Sequence, residues 1–328
     1  MHGQRSETAD YTESPSRKVI RDPILMQRNR TLRALASTLL GILLACAGMN
    51  TAFAHEPDAE EVALGSLIDA ELAFARMGAE RGIRAAFLAN FADDGIAFEP
   101  APIRLRETWS ARSAPADPLA VKLLWKPAQA GVARSFDMGY TTGPFTLSSA
   151  ASPTPRHGVF FSVWQRAPGK PWKVLLDAGI GTPGPVDFAA LGAAPRPHFT
   201  GRANVTIERR KLLDAESTAF GNVGAAITPT TFAQHVSADI RLHRDGHAPV
   251  ATRANVAPAV AHALSRVEWM PIDARLSAAA DMAFTYGRYR QTDRDEHVTE
   301  GYYAHLWLRD RAGDWQLAYD IALPAQPR

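Results

Sequence analysis

Cysteine is almost missing: Cys46 is the single one in 328 residues. That excludes a disulfide framework and a cysteine-rich zinc site. Charge of either sign is not in excess, with 36 Lys and Arg against 34 Asp and Glu and a formal charge of +2. No Lys/Arg run stands beside an aromatic platform, so no nucleic-acid partner is expected. The ten histidines form no pair with metal-ligand spacing. Neither a serine nucleophile elbow nor a glycine-rich phosphate loop occurs. No metal or cofactor is therefore expected. What is present is a 46% apolar fraction, enough to build a core.

The first 54 residues read as a leader. Residues 1–25 are polar and mixed in charge, and Met26 is the expected start of translation. Arg28, Arg30 and Arg33 precede an apolar run from Ala34 to Ala45, and Ala52-Phe53-Ala54 follows before His55. A basic head, a short apolar stretch and a small-x-small site make a secretory signal peptide. The run is too short to span a bilayer, which takes about 20 residues. Cleavage near Ala54 gives a periplasmic or secreted protein. The alternative is a lipoprotein, because Leu43-Leu44-Ala45-Cys46 resembles a bacterial lipobox with Cys46 as acceptor; that is the one route to a membrane. The mature chain carries 29 basic and 30 acidic residues, so no anionic partner is implied.

The mature chain repeats itself. At an offset of 145, Leu67, Asp69, Ala70 and Glu71 match Leu212, Asp214, Ala215 and Glu216. At 144, seven of the nineteen positions from 125 to 143 are identical, among them Trp125 with Trp269, Asp137 with Asp281 and Thr141 with Thr285. At 143, Trp164, Arg166, Trp172 and Asp177 match Trp307, Arg309, Trp315 and Asp320. Chance gives about one identity in twenty positions, so this is a duplication. The expected division is a first domain at 55–185, a Pro/Gly-rich linker at 186–204 and a second domain at 205–328.

Within each unit helices come first. Leu67, Ala70, Phe74 and Met77 recur at three- and four-residue spacing. Met138-x-Tyr140-x-Thr142 and Val159-x-Phe161-x-Val163 alternate as half-buried strands do. The expected class is α+β, with helices on one face of a curved, mostly antiparallel sheet. The faces differ in size: Gly139, Thr141 and Gly143 are small, Met138, Tyr140 and Thr142 larger, and Met282, Phe284 and Tyr286 form the large face of the second copy. The large faces are expected to cover each other, giving an intramolecular pseudo-dimer and a monomeric chain.

The run of Asp-Ala-Glu on the first helix, Phe91-Ala92-Asp93-Asp94-Gly95, Asp137-Met138-Gly139-Tyr140 and Trp172-Lys173-Val174-Leu175-Leu176-Asp177 resembles the nuclear-transport-factor-2-like superfamily, in its DUF4440/SnoaL-like branch. The resemblance implies two tandem cone-shaped domains. It also implies a cavity that holds a small hydrophobic molecule or performs cofactor-free isomerase or dehydratase chemistry. Phe91-Ala92-Asp93-Asp94 followed by Glu99-Pro100 resembles the ketosteroid-isomerase segment that ends in the catalytic base, which makes Glu99 the candidate base. The helix that would supply an oxyanion donor reads Leu72-Ala73-Phe74 without a tyrosine. The strand Gly158-Val159-Phe160-Phe161 is apolar, and the second copy has Arg244 at the base position.

The remaining candidates line up by copy. Asp137 and Asp281, read as strand residues, point into the cavity or bind backbone amides where their strands begin. Asp177 and Asp320 end the last strand out of phase with Trp172 and Val174, facing the opposite way, towards pocket or rim. Glu71 and Glu216 are salt-bridge or cap partners unless they reach the cavity. Thr141 and Thr285 share the small face. Trp125 and Trp269 are core or stack on a ligand. His305, alone on its strand, is expected to be half-buried.

Overall fold

The structure, a computed structural model, describes residues 58–152, 154–219 and 228–325; the expected leader and its cleavage site lie outside them. The first half opens with helix α1 (Ala59–Arg81). Asp58 caps it by accepting from the Glu61 amide at 2.8 Å, and Glu60 and Glu61 stand in its first turn, where the helix dipole favours anions. It stops at Gly82, whose φ of +86° would put a Cβ 2.2 Å from the Pro118 carbonyl oxygen. Glycine alone fits there. Ala63, Leu67, Glu71, Phe74 and Gly78 form its buried stripe.

Next come α2 (Ile83–Asn90), β1 (Phe91–Glu99), β2 (Ala101–Arg104), α3 (Leu105–Ala111), β3 (Val121–Trp125), β4 (Gln129–Val132), β5 (Met138–Ser149), β6 (Arg156–Gln165) and β7 (Lys173–Thr182). The second half has α4 (Val205–Ala219), α5 (Pro229–Ala233), β8 (Val236–Arg244), β9 (Val250–Ala251), α6 (Arg253–Ala263), β10 (Leu264–Leu276), β11 (Met282–Asp293), β12 (Val298–Arg309) and β13 (Trp315–Pro324). The class is α+β with one sheet in each half.

The two sheets share one strand order. The first runs β2-β1-β7-β6-β5-β3, with β4 also on β5; the second, from its other edge, runs β9-β8-β13-β12-β11-β10. Thus β10 takes the place of β3 and β4 together. One pair in each sheet is parallel, β1 with β7 and β8 with β13; every other pair is antiparallel.

Each sheet has a helix-covered face. In the first half it gathers Leu67, Phe74, Phe87, Phe91, Trp164 and Val174; in the second, Leu212, Val260, Trp269, Tyr303 and Trp307. The opposite faces meet. Met138, Tyr140, Phe161 and Leu176 share one buried cluster with Met282, Phe284, Leu306 and Tyr319, and the Tyr319 ring lies 5.2 Å from Tyr140 and 5.1 Å from Phe161. The described residues of the two halves accordingly belong to one compact unit. The joining segment is strapped across both halves: Tyr140 donates to the Pro195 carbonyl at 2.7 Å, Gln129 to that of Gly192 at 2.7 Å and Arg241 to that of Ala193 at 2.6 Å.

Two strand expectations need correction. Asp137 and Asp281 lie in the turns just before β5 and β11, not on the strands. Asp177 and Asp320 face the same side as Trp172 and Val174, not the opposite one. The reason is a β-bulge in each last strand: Val163 pairs with Leu176 but Trp164 with Val174, which leaves Leu175 unpaired. In the second sheet Leu306 pairs with Tyr319 and Trp307 with Leu317, leaving Ala318 over. One extra residue resets the alternation, so both aspartates turn under the helices.

Candidate functional site

Under the helices of the first half, Glu71 projects from α1 into the core and is fully buried. Its carboxyl accepts from Trp125 Nε1 at 2.6 Å, Thr141 Oγ1 at 2.6 Å and Trp164 Nε1 at 3.1 Å. Among the described residues it has no salt-bridge partner and caps no helix. With no cation beside it, desolvation pushes its pKa up to about 7 against the three donors, and Asp177 adds repulsion. Asp177 accepts from Ser162 Oγ at 2.7 Å, and burial raises it to about 6.

The second half repeats these positions with one exchange of residue type, although Trp307 Nε1 donates to Thr285 Oγ1 at 3.0 Å and neither Trp307 nor Trp269 donates to Glu216. Glu216, Thr285, Trp269, Trp307 and Asp320 stand where Glu71, Thr141, Trp125, Trp164 and Asp177 stand, but His305 replaces Ser162. His305 is completely buried, not half-buried. Its Nδ1 lies 2.7 Å from Glu216 Oε1 and its Nε2 3.5 Å from Asp320 Oδ1. Burial works against its charge, yet these two carboxylates leave its pKa raised. Glu216, which also accepts from Thr285 Oγ1 at 2.8 Å, is thus an ion-pair partner of a buried histidine. Asp320 is gripped by Arg244, with Nη1 and Nη2 each 2.8 Å from one of its oxygens. Burial opposes that ionisation, but Arg244 and His305 hold the carboxyl well below its usual range. The result is a continuous chain Arg244–Asp320–His305–Glu216 leading from the cavity wall to α4.

That cavity is one of several concavities among the described residues, and its walls are mostly apolar. It measures about 380 Å³ and lies between α6 and the second sheet. Val260 and Ala263 face it from α6, Leu242 from β8, Tyr289 from β11 and Ala322 from β13, with Arg244 at its polar side. A volume above about 300 Å³ with mostly apolar walls and few polar groups is the ordinary form of a small-molecule site. Among the sequence candidates, Asp320 and His305 reach it through Arg244.

Other candidates lie elsewhere. Glu99 ends β1 with both oxygens engaged, one by Trp109 Nε1 at 2.6 Å and one by Arg112 at 2.7 Å. It borders a shallower depression of about 270 Å³ with Ile83, Pro115 and Val121. Asp137 and Asp281 bind amides of the opposite half: Ala278 N donates to Asp137 at 3.0 Å and Arg134 N to Asp281 at 2.9 Å. They hold the halves together and line neither cavity. Trp125 is half-buried against α1, its ring fitting where Gly78 has no side chain; Trp269 is core, 4.6 Å from the His305 ring. The histidine spacing had also left one grouping unnoticed. Asp293, Asp295 and His297 gather at the exposed β11–β12 turn, where Asp293 accepts from the amides of Asp295 and His297.

Sequence reasoning missed Arg244 as a site residue, because it counted only as a lost base. The signal available was its position: an arginine at the place of Glu99, one repeat later. It also missed the buried roles of Glu71 and Glu216, although Leu67, Glu71, Phe74 and Gly78 already put a carboxylate on an apolar helix stripe.

Neither a known protein family nor a curated protein matches the sequence. Solved structures do show likeness. A ketosteroid isomerase-like protein from Erwinia carotovora atroseptica is 15% identical over 35% of this chain and 94% of its own, with a TM-score of 0.28. An NTF-2-like protein of unknown function from Shewanella oneidensis is 16% identical over 35% of this chain and 96% of its own, at 0.29. A cystatin-like-fold protein of unknown function from Nostoc punctiforme is 14% identical over 37% and 91%, at 0.29.

Proposed function

We propose that the chain is an exported protein of two tandem nuclear-transport-factor-2-like cones, acting as a monomer, and that its second cone binds a small hydrophobic molecule. The observation that carries the reading is the apolar cavity of about 380 Å³ beneath α6. Apolar walls recognise apolar surface at about 25 cal/mol per Å² removed from water. The alternative, a cofactor-free isomerase or dehydratase with Glu99 as base, draws less support. Its carboxylate is bound by Arg112 and Trp109, and acid–base chemistry needs a second group in agreed geometry.

Native mass spectrometry of the mature protein from its own cells tests this. The wild type is expected to carry a bound organic mass of a few hundred daltons. Ala259→Phe, which fills the cavity from α6, is expected to lose it while keeping its circular dichroism spectrum. A wild type with no adduct, or an adduct retained equally by Ala259→Phe, contradicts the proposal.

A further inference from the structure

The cavity wall carries a cation whose bonding is half complete. Arg244 has 22% of its side chain exposed. Asp320 takes one hydrogen from Nη1 and one from Nη2, and the carbonyls of His243 and Asp320 share Nη1 at 3.0 and 3.1 Å. Among the described residues, Nε and the second hydrogen of Nη2 meet no acceptor. These two N–H groups form the side edge of the guanidinium and point in parallel. The end-on pairing with Asp320 locks the plane of the group, so the free edge is held at one orientation on a side chain that lines the cavity.

Two parallel donors spaced this way match the two oxygens of a carboxylate. The other acid at the wall, Asp245, turns one oxygen to the Gly181 amide at 2.7 Å and makes no salt bridge with Arg244. The remaining walls are mostly apolar, with Leu242, Val250, Val260 and Leu264 among them, and His247, Gln291 and Thr299 add the other polar side chains. An ion pair formed there is shielded from water and strengthened accordingly.

We infer that the molecule bound in the second cone is a compact apolar monocarboxylic acid, its carboxylate taken bidentately by Nε and Nη2 of Arg244. This rests on the cavity being the binding site. Arg244 is the specificity-determining residue, and the Asp320–His305–Glu216 chain behind it positions the guanidinium. The exchange of Glu99 in one copy for Arg244 in the other then marks the second cone as an acid-binding one.

Isothermal titration of the mature protein with matched probes tests the inference: octanoate against 1-octanol, and 2-naphthoate against 2-naphthamide. The acid of a pair is expected to bind at least about tenfold more tightly than its neutral counterpart. Arg244→Lys, which keeps the charge and loses the planar fork, is expected to weaken the acid several-fold and leave the neutral probe unchanged. Arg244→Met combined with Asp320→Asn, which leaves no unpaired buried carboxylate, is expected to abolish the preference while neutral binding persists. Equal affinity of acid and neutral probes for the wild type overturns the carboxylate inference and leaves the cavity reading standing. Failure of all four probes to bind overturns the cavity reading itself.

Discussion

Glu71 and Glu216 are the same residue of the repeat with opposite electrostatics. The difference is one neighbour. Ser162 is too short to reach Glu71, so that carboxyl meets only neutral donors and desolvation raises its pKa to about 7. His305 reaches both carboxylates of its half and permits charge to stay buried. The consequence for stability has a definite sign. Below about pH 4.5 Glu71 is protonated in folded and unfolded chains alike. Between 4.5 and about 7 the unfolded chain ionises while the folded one keeps the proton, so stability falls as pH rises, by about 3 kcal/mol in all. Asp177, raised to about 6, works in the same direction at the lower end of this window. Urea titrations at pH 5 and pH 8 are expected to show a less stable protein at pH 8, with much of the difference removed in Glu71→Gln. A variant with the wild-type pH slope contradicts this account of Glu71.

At the scale of elements, the periodic parts of the fold were legible in the sequence and the irregular parts were not. The stripe of α1 and the alternation of β5 and β6 follow from local spacing. The duplication also gave the correspondence of Trp125 with Trp269 and Thr141 with Thr285. Asp177 and Asp320, midway along β7 and β13, were misread because a bulge changes the phase by one residue, and nothing at Leu175 or Ala318 announces it. Glu71 was misread because its partners are far off in the chain, Trp125 by 54 positions and Trp164 by 93. The turns before β5 and β11 carry a similar long-range pairing. Each offers an aspartate to the other's amide, Asp137 to Ala278 and Asp281 to Arg134, and Asp281 also accepts from Ser277 Oγ at 2.7 Å. Asp281→Ala is expected to cost about 1–3 kcal/mol by stranding these donors, and the more exposed Asp137→Ala less. Thermal melts check the order; a melt of Asp281→Ala identical to wild type contradicts it.

At the scale of the whole molecule, each half supports the other through a shared buried cluster. The large faces around Tyr140 and Tyr319 are buried against each other, so residues 55–185 expressed alone would expose an apolar sheet face. That fragment is expected to dimerise or aggregate in analytical ultracentrifugation; a stable monomeric fragment contradicts the mutual dependence. With the packing shared, the halves have diverged inside. The first half keeps a buried carboxyl held by neutral hydrogen-bond donors, and the second keeps a cavity with a buried charge chain ending on Arg244. The central claim is that binding resides in this second cavity. The measurement that reaches it most directly is chemical-shift mapping of the isotopically labelled mature protein titrated with 2-naphthoate. The account predicts saturable shifts centred on Leu242, Val260, Leu264, Tyr289 and Ala322, with those of Leu67, Phe74 and Trp164 unmoved. Shifts centred on the first half, or scattered over the surface without saturation, would contradict it.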